Sequence, residues 1–135
     1  EAQSRKPGAR ALLLDQDGWV AEASTASVIL YREEEGFVVP PAENVLPGVS
    51  MSVLQTLAEE MEIAFVRRNI SVDDVRSADE VFLCSTSPCV LPVVAVDDSQ
   101  PGDGRPGEIY QQMIDAWGSL VGLDIVAQAT AFAAR

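Results

Sequence analysis

Hydrophobic positions along this chain follow two periods. Ala11–Leu14 is apolar, Asp15-Gln16-Asp17-Gly18 interrupts it, and Trp19–Ala21 resumes. An Asp-Gly pair between short apolar runs signals a hairpin. Ser27–Tyr31 reads as the first arm of a second strand pair, Glu33-Glu34-Glu35-Gly36 as its turn and Phe37–Val39 as the return. Pro40-Pro41 ends that arm, because proline cannot continue a ladder. The period then changes. Val53, Leu54, Leu57 and Met61 recur every three to four residues, with Glu59, Glu60 and Glu62 on the other side, which predicts a helix with Ser50 as its N-cap. Ile63–Val66 and Val81–Leu83 read as short strands and Val72–Val75 as one helical turn. Val90–Val96 reads as a strand that Pro92 makes irregular or places at an edge. The Gly/Pro loop Pro101–Gly107 leads into a helix carrying Ile109, Met113, Trp117 and Leu120 on one stripe, the pattern of a core-facing surface. The Ala-rich stretch after Asp124 is weakly patterned and reads as a loosely held helix or coil. Hairpins first and interspersed helices later predict an α+β or mixed α/β domain, without a repeated βαβ unit. No internal repeat of about 20–50 residues is visible.

Composition narrows the function classes. The chain has 135 residues, 47% hydrophobic and 22% charged, which suits one globular domain. Nine Lys+Arg against 21 Asp+Glu give a formal charge of −12. That balance argues against nucleic acid or an anionic membrane as partner, since both are bound through cationic side chains. The chain has no His, which excludes a His-containing triad and any His-ligated metal site. The longest apolar run, Cys89–Val96, falls short of the about 20 residues that span a bilayer. Cys84 and Cys89 are too few for a disulfide framework or a zinc site, and read as buried thiols of a protein kept in a reducing cytoplasm. The opening Glu1–Arg10 has no apolar core of a signal peptide, so the start reads as an excised end. Asn69-Ile70-Ser71 spells a glycosylation sequon that no secretory signal supports.

Five constellations carry candidate chemistry. Gly102-Asp103-Gly104-Arg105-Pro106-Gly107 spells GxGxxG, but the dinucleotide reading needs a βαβ unit and a following parallel strand. The competing reading is a flexible connection with Pro106 near the helix start. Gly48-Val49-Ser50 opens a helix, where free N–H groups and the positive dipole end can hold an anion and a serine hydroxyl adds a donor. Ser85-Thr86-Ser87 follows a strand and can offer hydroxyls and N–H groups to an oxyanion, or be an ordinary turn. Glu22, followed by Ala23-Ser24-Thr25-Ala26-Ser27, could bind a protonated nitrogen or be a surface carboxylate. Asp73-Asp74 and Asp97-Asp98 could pair on a hard cation or sit in solvated turns.

Taken in order, these pieces resemble the class IV aminotransferase family of pyridoxal-phosphate enzymes, which includes branched-chain and D-amino-acid aminotransferases and aminodeoxychorismate lyase. The stretches that carry the resemblance are Ala11–Glu22, Leu46-Pro47-Gly48-Val49-Ser50, and Ala78–Thr86 with Leu91-Pro92-Val93-Val94. Gly102–Gly107 before the last long helix matches too. The resemblance covers roughly residues 1–122, leaving 123–135 as a tail. It implies the C-terminal, cofactor-binding domain of a D-amino-acid aminotransferase-like enzyme, an antiparallel-rich pseudo-barrel sheet with flanking helices.

The resemblance also implies roles and partners. Glu22 would pair with the pyridine nitrogen of pyridoxal 5'-phosphate. The N–H groups of Val49 and Ser50, with the Ser50 hydroxyl and Thr86, would hold the phosphate. Leu46 would pack on one ring face, and N–H groups of the Thr86–Ser87 turn would lie near the substrate carboxylate. The sequence departs from the family pattern at Ala23, usually Gly, and at Ser27, usually Asn. Lys6 is the only lysine and lies in no lysine motif, so no catalytic residue is assigned here. The Schiff-base lysine is expected upstream of Glu1, together with an N-terminal domain. The implied activity is amino-group transfer between an amino acid and a 2-oxo acid by a cytoplasmic homodimer, with the isolated chain inactive. The alternatives are lyase chemistry of the aminodeoxychorismate type, or a non-catalytic phosphate- or metabolite-binding module.

Overall fold

Strand positions that are apolar on both faces form the centre of the molecule. The computed structural model describes residues 2–134. After a short helix α1 (Ala2–Arg5), β1 (Leu12–Leu14) and β2 (Val20–Ala23) form an antiparallel pair. The turn between them is the Asp-Gly turn the sequence predicts. One Asp15 carboxylate oxygen accepts the N–H groups of Asp17 and Trp19, both at 2.9 Å, so the side chain itself closes the loop. β3 (Ser27–Arg32), β4 (Gly36–Val39), β5 (Phe65–Arg67), β6 (Glu80–Ser85) and β7 (Cys89–Pro92) make a second sheet in the order β5-β4-β3-β6-β7. Only the β4–β5 pair is parallel. The crossover between those two strands is helix α2 (Val49–Glu60), as a parallel connection requires. Helices α3 (Val72–Ser77), α4 (Glu108–Val121) and α5 (Ile125–Ala133) complete the mixed α/β architecture.

Each central strand feeds two cores by its period of two. On one face Ile29, Phe37, Val39, Phe82, Cys84 and Val90 are buried against Met51, Leu54 and Leu57 of α2 and Met113, Ile114 and Trp117 of α4. On the other, Val28, Leu30, Val38 and Val81 meet Val20, Ile70, Val75 and Ala78. β7 forms an edge of the sheet, which is what Pro92 demands of it. The stripe predicted for α4 is buried at Met113 and Trp117, but Leu120 is exposed.

Several boundaries shift from the sequence reading, each for a local reason. β5 begins at Phe65 rather than Ile63, because Glu62 takes a left-handed conformation (φ 58°) to end the α2 turn. The single turn at Val72 becomes a six-residue helix, because Ser71 and Asp74 form a reciprocal capping box. β7 stops at Pro92, and the Ala-rich tail is helical but has no buried residue. Asp124 caps it through the N–H of Ala127, and it leaves α4 at 92°. Among the described residues no single helix is long and apolar enough to cross a membrane.

An ion-pair network ties the β3–β4 turn to α3. The Arg68 guanidinium donates to both oxygens of Glu35, at 2.9 and 3.0 Å, and to Asp74 at 3.3 Å. Arg32 reaches the same Glu35 at 3.1 Å. The hydrogen bond from Arg68 holds the Glu35 carboxyl below its ordinary 4.5. Although burial opposes it, Asp74 is also held low, by hydrogen bonds from Ser71 and Arg68. Groups with depressed folded-state pKa values stabilise above their unfolded values, and that stability is lost as pH falls through the folded ones. Wild-type protein is therefore expected to lose more stability between about pH 6 and pH 3 than Arg68→Ala does, with the two converging in acid. Urea midpoints measured across that range check this.

Candidate active site

One end of the large sheet gathers the residues that the sequence singles out. Glu22 lies one residue before the end of β2 and opposite Leu13 of β1. A tight turn, with Ala23 bridged to Ala26, then reverses the chain into β3. β3 opens on Ser27, which faces Cys84 near the end of β6. Beyond Cys84 come Ser85, which pairs with Cys89, and the turn Thr86-Ser87-Pro88, exposed at Thr86 and Ser87. From the other side, Leu46-Pro47-Gly48 brings the N-terminus of α2 to the same place. The bond that fixes this arrangement is long in sequence: the Leu46 N–H donates to Glu22 Oε1 at 2.8 Å. The second oxygen of Glu22 has no partner among the described residues.

Ser50 is not the N-cap. α2 starts at Val49 with the extended Gly48 (φ −75°, ψ 135°) in the capping position, so Ser50 is the second helical residue. The N–H groups of Met51 and Ser52 both go to the Gly48 carbonyl, at 3.1 and 3.2 Å. Those of Val49 and Ser50 have no acceptor among the described residues, the usual state of a helix start. Ser50 is nine-tenths buried, at 9% exposure, and its hydroxyl has no hydrogen bond among the described residues. Every fully buried side-chain oxygen among the described residues has a partner, so the small exposed part of Ser50 includes its hydroxyl oxygen. Leu46 and Val49, beside it, are 72% and 78% exposed. These are large apolar side chains left uncovered around an anion-binding geometry.

The three helices that follow β5 have their N-termini closed from within. Ser71 and Asp74 close α3, and Asp124 closes α5. α4 is closed by Glu80 of β6, whose two oxygens accept the N–H groups of Ile109 at 2.8 Å and Tyr110 at 3.0 Å. This decides the GxGxxG spelling. A carboxylate already occupies the place a pyrophosphate would take, and a side chain on Gly107 would collide with it. Gly102 and Gly104 serve a loop in left-handed conformations. Sequence reasoning missed Glu80, because only the sheet brings it to a helix 29 residues away.

Most of the remaining candidates have partners of their own. Asp73 and Asp97 both pair with Arg76, and Asp74 with Arg68. Cys84 is buried among apolar side chains, which pushes its thiol up to about 12; burial raises Cys89 as well. Neither is a thiolate at neutral pH. Lys6 is exposed in the turn after α1.

Comparison with known proteins bears on the family and the fold. The family model "Amino-transferase class IV" matches residues 1–96. The chain is 33% identical over 104 residues to a probable branched-chain-amino-acid aminotransferase of Aquifex aeolicus, covering 76% of this chain and 33% of that protein. Its fold is similar to the branched-chain amino acid aminotransferase from Escherichia coli, with a TM-score of 0.78 and 27% identity over 88% of this chain and 40% of that one. It is also similar to the T.th. branched-chain amino acid aminotransferase solved with pyridoxamine 5'-phosphate, with a TM-score of 0.77 and 25% identity. That match covers 84% of this chain and 38% of the other. The chain thus spans between a third and two fifths of the length of these proteins. With the matched segment covering Glu22, the start of α2 and the β6–β7 turn, this chain belongs to the class IV aminotransferase family.

Proposed function

We propose that residues 1–122 form the pyridoxal 5'-phosphate-binding part of an enzyme that moves an amino group between an amino acid and a 2-oxo acid. The observation that carries this is the Glu22–Leu46 hydrogen bond, which seats a carboxylate beside an uncapped helix start. The residues present fit the cofactor. Two free N–H groups and an open, unpartnered Ser50 hydroxyl suit a phosphate, and the free oxygen of Glu22 suits a protonated ring nitrogen. When bound, the cofactor supplies an electron sink for bonds at the substrate α-carbon.

The work of this chain is then binding and charge placement. The N–H groups of Val49 and Ser50, the Ser50 hydroxyl and Thr86 hold the phosphate by charge-assisted hydrogen bonds. Glu22 keeps a proton on the ring nitrogen. Leu46 covers one ring face and excludes water from it. N–H groups of the Thr86–Ser87 turn orient the substrate carboxylate. The lysine that shuttles the α-proton is proposed to lie outside residues 1–135, with the rest of the substrate pocket, in a cytoplasmic homodimer. Lys6 does not take that part.

The test is the dissociation constant of pyridoxal 5'-phosphate beside that of pyridoxal, which has no phosphate. Ser50→Ala is expected to weaken the first by about tenfold, as for loss of one hydrogen bond to a charged group, and to leave the second unchanged. Equal effects on both ligands, or none on either, would overturn the reading. Tight binding without amino transfer by the whole protein would turn it into the non-catalytic module. Release of the amino group without its transfer to a 2-oxo acid would favour the lyase.

A further inference from the structure

Gly48 is a glycine that the fold itself does not require. Its backbone is extended, at φ −75° and ψ 135°, a conformation open to any L-residue. A side-chain carbon built on it would meet nothing closer than the Ser27 hydroxyl oxygen, at 3.9 Å, an ordinary contact. Glycine in such a place allows close approach of a ligand to the backbone.

The atom that this missing carbon uncovers has no other task. Ser27 lies on the sheet face that α2 covers, on the same side as Ile29 and Tyr31, and pairs across the ladder with Cys84. Its hydroxyl has no partner among the described residues, so by the same reasoning as for Ser50 it is not sealed in the core. The free N–H groups of Val49 and Ser50 point back along the helix axis, over Gly48. A further donor therefore stands on the sheet side of the same space, separated from it only by the side chain that Gly48 lacks.

We propose that Ser27 and Gly48 form the floor of the phosphate seat. The Ser27 hydroxyl donates to a phosphate oxygen held from above by Val49 and Ser50, and Gly48 is glycine so that this oxygen can reach it. Ser27 is then a positioning residue for the cofactor that sets how deeply the phosphate sits. This inference rests on the reading of the α2 N-terminus as the phosphate site.

The experiment measures three variants of the whole protein for melting temperature and for the dissociation constants of pyridoxal 5'-phosphate and pyridoxal. Ser27→Ala and Gly48→Ala are each expected to weaken pyridoxal 5'-phosphate by about tenfold, the scale of one charge-assisted hydrogen bond. Both should leave pyridoxal unchanged and the melting temperature within about 2 °C. If Ser50→Ala weakens binding and the other two do not, the floor is wrong while the phosphate site stands. If none of the three weakens it, both fall. If Ser27→Ala weakens pyridoxal as much as its phosphate ester, Ser27 acts on the ring and the proposal is overturned. Should Ser27→Ala melt far lower than wild type, Gly48→Ala alone decides, because the space above Ser27 accepts its methyl group.

Discussion

Glu22→Gln is expected to lower turnover by about 10²–10³-fold, the scale seen when one preorganised charge partner is removed from an active site, while the fold stays intact. Glutamine keeps a carbonyl oxygen in reach of the Leu46 N–H, so the 2.8 Å bond that ties β2 to the approach of α2 can persist. Only the negative charge is lost, and with it the group proposed to keep the ring nitrogen protonated. Melting temperature and pyridoxal 5'-phosphate affinity should therefore change little while kcat collapses. Glu22→Ala separates the two tasks, because it also orphans the Leu46 N–H and should loosen the start of α2. Wild-type turnover in Glu22→Gln would remove Glu22 from the chemistry. A matching loss of stability in Glu22→Gln would recast it as a structural carboxylate.

Phe37→Ala is expected to cost about 3–5 kcal/mol of stability, or about 10–20 °C in melting temperature for a domain of this size. Phe37 is wholly buried. Its ring meets Tyr31 edge-on at 5.7 Å and Phe82 at 6.0 Å, and it belongs to the cluster in which α2 and α4 pack on the sheet. β3 and β5 on either side and the helices above hold that space open, so collapse around the missing ring is limited and a cavity remains. Since α2 rests on this cluster, cofactor binding should weaken with the fold as temperature rises. A loss below about 1 kcal/mol in urea unfolding would mean that the core repacks freely.

The hairpin arms and both long helices were legible in the sequence, because their signals are local. Asp-Gly closes a turn by its own side chain, Ser27–Tyr31 carries β-branched and aromatic residues, and Leu54 and Leu57 repeat at helical spacing. The candidate site residues Glu22, Leu46, Val49, Ser50, Thr86 and Ser87 were singled out only by their order along the chain and by resemblance. No local property of Glu22 distinguishes it from the exposed carboxylates of Glu33 and Glu34. The Ser50 cap was misread because hydroxyl residues are favoured both before a helix and within its first turn, and only the backbone angles of Gly48 separate the two.

By itself the sequence determined the central strands and the two long helices, most of the face each buries, and that no histidine and little positive charge are available for chemistry. Those are consequences of residue type and period, which act over a few neighbours. The tertiary structure decided which helix start is free to take an anion. α4, with its GxGxxG spelling, is silenced by Glu80 from a strand 29 residues back. α2, with no such carboxylate, stands open beside Glu22 and above Ser27. The physical reason is the same in both cases. A helix N-terminus favours a negative partner, and whether that partner is internal or a ligand depends on what sheet register places there, which no short window of sequence contains.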